Sequence, residues 1–355
     1  MSIMQGGKLC LLQVGKCFSL ASNTVIKRCA STGGTDLIGR HFLTLKDYNQ
    51  SEIEHLLWTA SDLKTRYKEN KEVFQPLIGK SIAMIFQKRS TRTRLSTETG
   101  MSLLGGHAVF LGPDDIHLGV NESLQDSAKV LSRMTDVVLA RVYGQSDLEE
   151  LSKYSTVPII SGLSDMYHPL QILADFQTLQ EHFGQLKGLK LAWVGDGNNV
   201  VHSFLMGCPK LGMDLNIATP KGYDVDPKVK EDAVTLVKQS GTSMNFTRDP
   251  MEAVAGTDVV ITDTWISMGQ EAESKKRIKD FMGYEVTKEM MAAAGPHAIF
   301  MHCLPRHKEE VSDEVFYDEK RSVVWQEAEN RKWTVMAVML NLLQQYMPLH
   351  PKPTF

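Results

Sequence analysis

One short polar stretch combines hydroxyl groups with two arginines: Ser90-Thr91-Arg92-Thr93-Arg94. It follows an apolar segment, residues 81–86, and Ser90 is a typical N-cap, so the pattern predicts a strand running into a helix. The first N–H groups of a helix lack intrahelical partners, and arginines at that end oppose the helix dipole unless an anion is present. The stretch therefore predicts a socket for a phosphate-sized dianion. The alternative is an ordinary capped helix with a solvated basic first turn.

Polar residues also directly follow three other apolar segments: Arg141, Asp263 and Cys303. In open parallel sheets, ligands bind beyond the carboxyl ends of the strands, so these side chains are predicted to share a site with the anion socket. A guanidinium suits an anion or a carbonyl oxygen, and a carboxylate suits an ammonium group. Each residue also has an ordinary alternative: a surface cation, a helix N-cap and a small buried side chain, respectively.

His168 and Gln171 are one turn apart at a predicted helix start, on the same side. An imidazole there could donate a hydrogen bond to a carbonyl oxygen, and an amide could accept one from an NH2 group. A purely structural histidine is the alternative.

A glycine-rich turn, residues 195–199, invites comparison with dinucleotide-binding loops. The third glycine of that fingerprint is missing and no acidic residue closes the next strand, so the signal for NAD is weak. A cysteine-based zinc site is not expected, because no second cysteine has suitable spacing to Cys303. These residues therefore give little support for a bound dinucleotide or for a cysteine-based zinc ion.

Strand and helix patterns alternate along the chain, which predicts an α/β protein with parallel sheets covered on both faces. Predicted strands are residues 81–86, 107–111, 137–140, 157–161, 189–194, 215–219, 259–262 and 298–301. We predict two doubly wound domains with the active site between them. The first spans residues 33–166, joined by the end of the last helix at about 342–355, and the second spans residues 167–341.

The first 32 residues contain lysine, arginine and hydroxyl residues but no acidic residue, which is typical of a mitochondrial transit peptide. A disordered extension is the alternative. The full chain of 355 residues has a formal net charge of −3, and removing a basic leader makes it more acidic, which argues against a nucleic-acid partner. No apolar run is long enough to insert into a membrane.

Several of these motifs occur together in one known family. The anion socket, the His-Pro-Leu-Gln run at 168–171 and the closing run at 327–331 resemble those of the aspartate/ornithine transcarbamylases. Two further motifs, Asp263 with Ser267-Met268-Gly269 and His302-Cys303-Leu304-Pro305, resemble the ornithine-specific branch and are lacking in the aspartate branch. The resemblance covers essentially the whole chain after the leader.

The resemblance implies transfer of the carbamoyl group from carbamoyl phosphate to the δ-amine of L-ornithine, giving L-citrulline and phosphate, in a homotrimer of the mitochondrial matrix. It implies these carbamoyl-phosphate contacts: Ser90, Thr91, Arg92, Thr93, Arg141, His168, Gln171, Leu304, Arg331 and, from a neighbouring subunit, His117. For ornithine it implies Asn199, Asp263, Ser267, Met268 and Cys303. The residues implied to be catalytic are Cys303, Asp263, Arg141 and His168.

Two rival functions stay open from the sequence: a transcarbamylase for another amine, and an NAD-binding oxidoreductase. One departure from the family is visible, since Gln87 stands where the family usually has Glu. We expect that a glutamate there would orient an arginine of the socket, so that Gln87 slows turnover.

Overall fold

A computed structural model describes residues 36–116, 122–266 and 271–355 of the chain. The first half is built on a four-stranded parallel sheet in the order β2-β1-β3-β4. Its strands are β1 (Ser81–Phe86), β2 (His107–Leu111), β3 (Val137–Arg141) and β4 (Ile159–Leu163). Its helices are α1 (Gln50–Lys64), α2 (Thr91–Leu103), α3 (Leu124–Met134), α4 (Gln145–Tyr154) and α5 (Pro169–Phe183).

The second half is built on a five-stranded parallel sheet in the order β7-β6-β5-β8-β9. Its strands are β5 (Lys190–Val194), β6 (Asp214–Ala218), β7 (Met244–Thr247), β8 (Val259–Thr262) and β9 (Ile299–His302). The remaining helices are α6 (Asn199–Gly207), α7 (Pro227–Ser240), α8 (Pro250–Val254), α9 (Ser274–Asp280), α10 (Lys288–Ala294), α11 (Asp313–Phe316) and α12 (Val324–Leu343). The predicted fold class, two doubly wound parallel sheets, is confirmed.

Both sheets are wound outward from a central strand, and this fixes where a ligand can enter. The chain leaves β1 on one side for β2 and returns on the other side to β3, while β5 is followed by β6 on one side and later by β8 on the other. The gap between β1 and β3, and that between β5 and β8, are therefore the topological switch points of the two sheets. Ligands of doubly wound folds bind at such points.

The last helix, α12, packs against α1, α2 and α5 of the first half. Its contact with α2 is close, since a Cβ on Gly100 would lie 2.7 Å from Cγ of Met336. The inner residues of α12 are fully buried, from Val335 to Leu340. This packing carries Arg331, one turn earlier on the helix, into the space beside α2.

Several elements differ from the sequence prediction. The edge strand β7 is not predicted, because it is short and half-exposed, with Asn245 and Thr247 among its four residues. Helix α9 is not predicted either, because its charged sequence lacks an apolar stripe. The strand predicted at 157–161 lies two residues later, at Ile159–Leu163.

Candidate active site

The predicted site residues meet in a cleft of about 670 Å³ between the two sheets. In the first sheet, the lining residues come from the turn after β1 and from the end of β3. In the second sheet, they come from the ends of β5, β8 and β9. Both switch points therefore open into one space. The described residues predicted for the site all line it: Ser90, Thr91, Arg92, Thr93, Arg141, His168, Gln171, Asn199, Asp263, Cys303, Leu304 and Arg331.

The anion socket has the predicted form of a capped helix start. Ser90 is the N-cap of α2 and its Oγ accepts a hydrogen bond from the Thr93 N–H at 3.3 Å. Arg331 approaches from α12 and its Nη2 donates to Thr93 Oγ1 at 3.1 Å. Arg92 donates to the carbonyl oxygen of Leu304, which ties the socket to the loop after β9. Leu304 has φ of +60°, a conformation uncommon for a residue with a side chain.

Positive charge is concentrated and dehydrated in this part of the cleft. Arg141 is 6% and Arg331 2% exposed. Burial, together with repulsion from the neighbouring arginines, lowers the pKa of each to about 10. Burial and the nearby Arg141 also lower the pKa of Lys88, which lines the cleft as well. Nε of Arg141 and Nε of Arg331 have no hydrogen-bond partner among the described residues.

His168 is the N-cap of α5 and lies at the edge of this charged region. Its backbone N–H donates to Ser203 Oγ at 2.8 Å, which fixes the start of the helix. Burial and repulsion from Arg331, Arg141 and Arg92 hold the pKa of the imidazole well below its usual value. Nδ1 is buried without a partner in the described part of the chain. A neutral imidazole in this position can act as a hydrogen-bond donor or acceptor, but not as a cation.

Gln171 is held by three hydrogen bonds although it faces the cleft. Its Nε2 donates to Asp175 Oδ1 and to Glu327 Oε1, each at 2.8 Å, and its Oε1 accepts from Arg331 Nη1 at 2.6 Å. Asp175 lies one turn further along α5, and Glu327 is on α12.

The other side of the cleft carries the carboxylate and the thiol. Asp263 and Cys303 follow β8 and β9, which are adjacent, and Cys303 Sγ donates to Asp263 Oδ1 at 2.9 Å. Burial and the neighbouring carboxylate raise the pKa of the thiol well above its usual value. Asn198 donates from Nδ2 to the other oxygen, Oδ2, of Asp263 at 2.9 Å. The thiol is therefore protonated at neutral pH and keeps the carboxylate oriented.

Asn199, the first residue of α6, has its Nδ2 bonded to the carbonyl oxygen of Ser164 at 2.6 Å. The predicted residues Ser267, Met268 and His117 lie outside the described residues.

Some residues in or beside the site are not predicted from the sequence. Lys88, which lines the cleft, precedes the socket motif and matches no pattern of its own. Asn198, which binds Asp263 behind the cleft wall, lies in a turn whose sequence indicates only Asn199 as a substrate contact. The buried acid Asp175 could have been found from its spacing of four residues from Gln171.

In the described structure the side chain of Gln87 makes no hydrogen bond to the guanidinium of a socket arginine, whereas the orienting role expected for a glutamate here needs one. Its Oε1 accepts from the Tyr143 N–H at 2.7 Å, and its own N–H donates to the Arg141 carbonyl at 2.9 Å. The side chain therefore acts on Arg141 only through the backbone at the end of β3.

The glycine-rich turn after β5 has a structural use. A Cβ on Gly197 would lie 2.4 Å from the backbone carbon of Asp224, so this glycine admits another part of the chain rather than a pyrophosphate. Within the described ranges, no cluster of three His, Cys, Asp or Glu residues is placed to hold a metal ion. None of the helices described is long and apolar enough to cross a membrane.

Comparisons with known proteins agree with this site. The profile of the aspartate/ornithine carbamoyltransferase carbamoyl-P binding domain matches residues 40–181, and that of the Asp/Orn binding domain matches residues 187–342. A mitochondrial ornithine carbamoyltransferase of Aquarana catesbeiana is 60% identical over 90% of this chain and 91% of its own length. A mitochondrial ornithine transcarbamylase of Gallus gallus is 57% identical over 90% of each chain.

A solved structure shows the same fold. The ornithine carbamoyltransferase from Pyrococcus furiosus superposes with a TM-score of 0.84 and 47% identity, over 87% of this chain and 98% of its own. Sequence profiles, relatives and the fold all indicate one family. The chain belongs to the aspartate/ornithine carbamoyltransferase family.

Proposed function

We propose that this protein is an ornithine carbamoyltransferase, which converts carbamoyl phosphate and L-ornithine into L-citrulline and phosphate. The observation that carries the proposal is the pairing of two unlike regions in one cleft. Three arginines surround a helix N-terminus on one side, and a carboxylate hydrogen-bonded to a thiol lies on the other. The first region suits a phosphate dianion, and the second suits an ammonium group.

Carbamoyl phosphate would bind with its phosphate at the start of α2, held by Ser90, Thr91, Arg92, Thr93, Arg141 and Arg331. Arg92, Thr93, Arg141 and His168 would donate to the carbamoyl carbonyl oxygen, where negative charge develops during attack. Gln171 Oε1 and the Leu304 carbonyl would accept from the carbamoyl NH2. No cofactor is required, because the mixed anhydride is already activated.

Ornithine would bind on the other side, to Asn199, Asp263, Ser267, Met268 and Cys303. Its δ-amine has a pKa near that of lysine, about 10.4, and must lose a proton before it can attack. Asp263 would hold the amine and help remove that proton, with the protonated Cys303 thiol keeping the carboxylate oriented. The δ-nitrogen then forms a bond to the carbamoyl carbon, the carbon–oxygen bond to phosphate breaks, and phosphate leaves with the electron pair. The remaining extra proton of the attacking nitrogen passes to the departing phosphate. Holding both substrates in attack geometry supplies a large part of the rate.

We extend the proposal to the location of the protein in the cell and to its oligomeric state. Relatives are named as mitochondrial proteins, and we place this chain in mitochondria, specifically in the matrix after removal of residues 1–32. Its reaction would serve the urea cycle and arginine metabolism. Residues 33–166, joined by about 342–355, would form the carbamoyl-phosphate domain and residues 167–341 the ornithine domain. The active form would be a homotrimer in which His117 reaches the phosphate of a neighbouring subunit.

Citrulline formation tests the proposal. Purified protein lacking the first 32 residues is given carbamoyl phosphate with either L-ornithine or L-aspartate. We expect citrulline and phosphate in equal amounts from ornithine, and no carbamoylated product from aspartate. Absence of citrulline, or transfer to aspartate, would refute the assignment. Sedimentation under assay conditions tests the trimer, which a fully active monomer would rule out.

A further inference from the structure

The amide of Gln171 is fixed from both ends by buried charged groups. Asp175 and Glu327 accept from its nitrogen, and Arg331 donates to its oxygen. Gln171 is 1% exposed, and each of the three partners is 2% exposed. A buried side chain with three short hydrogen bonds has little freedom to turn.

The direction of this amide follows from the chemistry of its partners. A guanidinium can only donate hydrogen bonds, so it must face the amide oxygen. The two carboxyl groups have four oxygens, and a proton shared between them still leaves oxygens free to accept, so they face the NH2 group. A reversed amide would set N–H against N–H at Arg331 and oxygen against oxygen at the acids. The hydrogen-bonding chemistry of the partners therefore fixes which side of the Gln171 amide carries the oxygen.

The acid pair can keep this arrangement because it does not carry two full charges. Burial raises the pKa of Asp175 to about 7 and holds that of Glu327 well above its usual value, and the two carboxyl groups are hydrogen-bonded to each other. One carboxylate and one carboxylic acid then balance the single charge of Arg331. The second oxygen of Glu327 accepts from the His302 N–H at 3.0 Å, which anchors the pair to β9.

We propose that Asp175 and Glu327 are positioning residues that make the cleft select an acyl phosphate bearing an NH2 group over one bearing a methyl group. This inference rests on the proposed function, in which Gln171 Oε1 and the Leu304 carbonyl meet the carbamoyl nitrogen. The acid pair turns the oxygen of Gln171 toward the cleft. That oxygen accepts from Arg331 through one lone pair, and an NH2 group can donate to the other. An acetyl group offers no donor to this second lone pair, so it binds with one hydrogen bond fewer in a buried site.

Two substitutions in the acid pair disturb the orientation of the Gln171 amide in different ways. Glu327→Gln leaves one acceptor oxygen for two N–H donors, those of Gln171 and His302, so one of them must turn away. Asp175→Leu removes an acceptor and the shared proton while keeping a branched side chain with the same number of heavy atoms. Asp175→Asn is the matched control, because its oxygen still accepts from Gln171 and its N–H replaces the shared proton, leaving one negative charge on Glu327.

A pair of stable phosphonates provides the readout: phosphonoacetamide, which carries an NH2 group, and acetonylphosphonate, which has a methyl group in its place. Calorimetric titration of each into purified protein gives two dissociation constants and their ratio. We expect wild type and Asp175→Asn to prefer phosphonoacetamide. In Glu327→Gln and Asp175→Leu the preference should fall about tenfold, with acetonylphosphonate binding little changed.

Melting temperatures show whether each variant folds. If Asp175→Leu does not fold, the binding ratio of Glu327→Gln tests the inference by itself. An unchanged ratio in folded Glu327→Gln would overturn the inference. Equal weakening of both phosphonates would also overturn it, since that result indicates a merely structural pair. If wild type makes citrulline but shows no preference between the phosphonates, only this inference fails. If wild type makes no citrulline, the proposed function itself fails.

Discussion

The two sides of the cleft differ in how their polar groups are satisfied. On the phosphate side, Nε of Arg141, Nε of Arg331 and Nδ1 of His168 are buried without partners among the described residues. On the ornithine side, both oxygens of Asp263 are engaged, by Cys303 and Asn198, and the Asn199 amide is bonded to Ser164.

This difference determines which hydrogen bonds each substrate forms or replaces when it binds. Buried donors without partners cost free energy, and a dianion that accepts from them recovers it without breaking an existing bond. Ornithine must instead compete with hydrogen bonds already made to Asp263. The phosphate side is therefore arranged to bind its ligand alone, whereas the ornithine side exchanges internal contacts for substrate contacts.

Arg141→Gln should have the largest effect of the changes that test this contrast. It removes a buried guanidinium from both the phosphate and the developing oxyanion, so kcat/KM for carbamoyl phosphate should fall by about 10³-fold. Arg133→Gln, an exposed position on α3, is the control and should leave the kinetics unchanged. A loss of less than about tenfold in Arg141→Gln would show that the arginine is not part of the anion site.

Cys303→Ala should act on the ornithine side alone. The thiol donates to Asp263, so its loss frees the carboxylate to reorient, and turnover should fall by about 10²-fold while carbamoyl-phosphate binding persists. Steady-state kinetics with each substrate in turn separate these effects. Unchanged turnover at saturating ornithine across the pH range would remove Cys303 from the mechanism.

The two sides should also respond oppositely to alkaline pH. Arg141 and Arg331 have pKa values lowered to about 10, so they lose charge as pH rises through that value, and phosphonoacetamide affinity should decline there. Ornithine reactivity should rise over the same range, because its δ-amine becomes neutral near pH 10.4, roughly the value for lysine. Titrations and initial rates between pH 7 and about 10.5 measure both trends. Phosphonate affinity that stays constant to the upper limit would contradict the first.

Gln87→Glu should give the smallest effect. A carboxylate would accept from the Tyr143 N–H more strongly than the amide oxygen does, and so hold the end of β3 that carries Arg141. We expect turnover to rise by a few-fold, with little change in KM, because the contact reaches Arg141 only through the backbone. Gln87→Ala, which has no acceptor, should lower turnover. Equal or lower turnover in Gln87→Glu would make the glutamine neutral or adaptive.

The sequence was most informative where a local pattern alone determines the structure. The apolar run of β1 and the N-cap Ser90 predicted the strand and the helix start with the observed boundaries. Arg141, Asp263 and Cys303 were placed correctly in the cleft because parallel strands end at a common edge.

Contacts between residues distant in sequence could not be predicted in this way. Asp175 and Glu327 are 152 positions apart, and only the packing of α12 against α5 brings both to Gln171. The contact of Gln87 with Tyr143 likewise depends on the pairing of β1 with β3. Helix α9 could not be predicted for a different reason, because its charged sequence gives no periodic signal.

Binding of phosphonoacetamide in the absence of ornithine tests the central contrast most directly. Calorimetric titrations are made with wild type, Cys303→Ala and Arg141→Gln under identical conditions. If the phosphate side is formed and able to bind alone, wild type and Cys303→Ala should bind with similar affinity, and Arg141→Gln should bind at least about tenfold more weakly. Equal weakening in Cys303→Ala and Arg141→Gln, or binding to wild type only when an ornithine analogue is also present, would contradict the account.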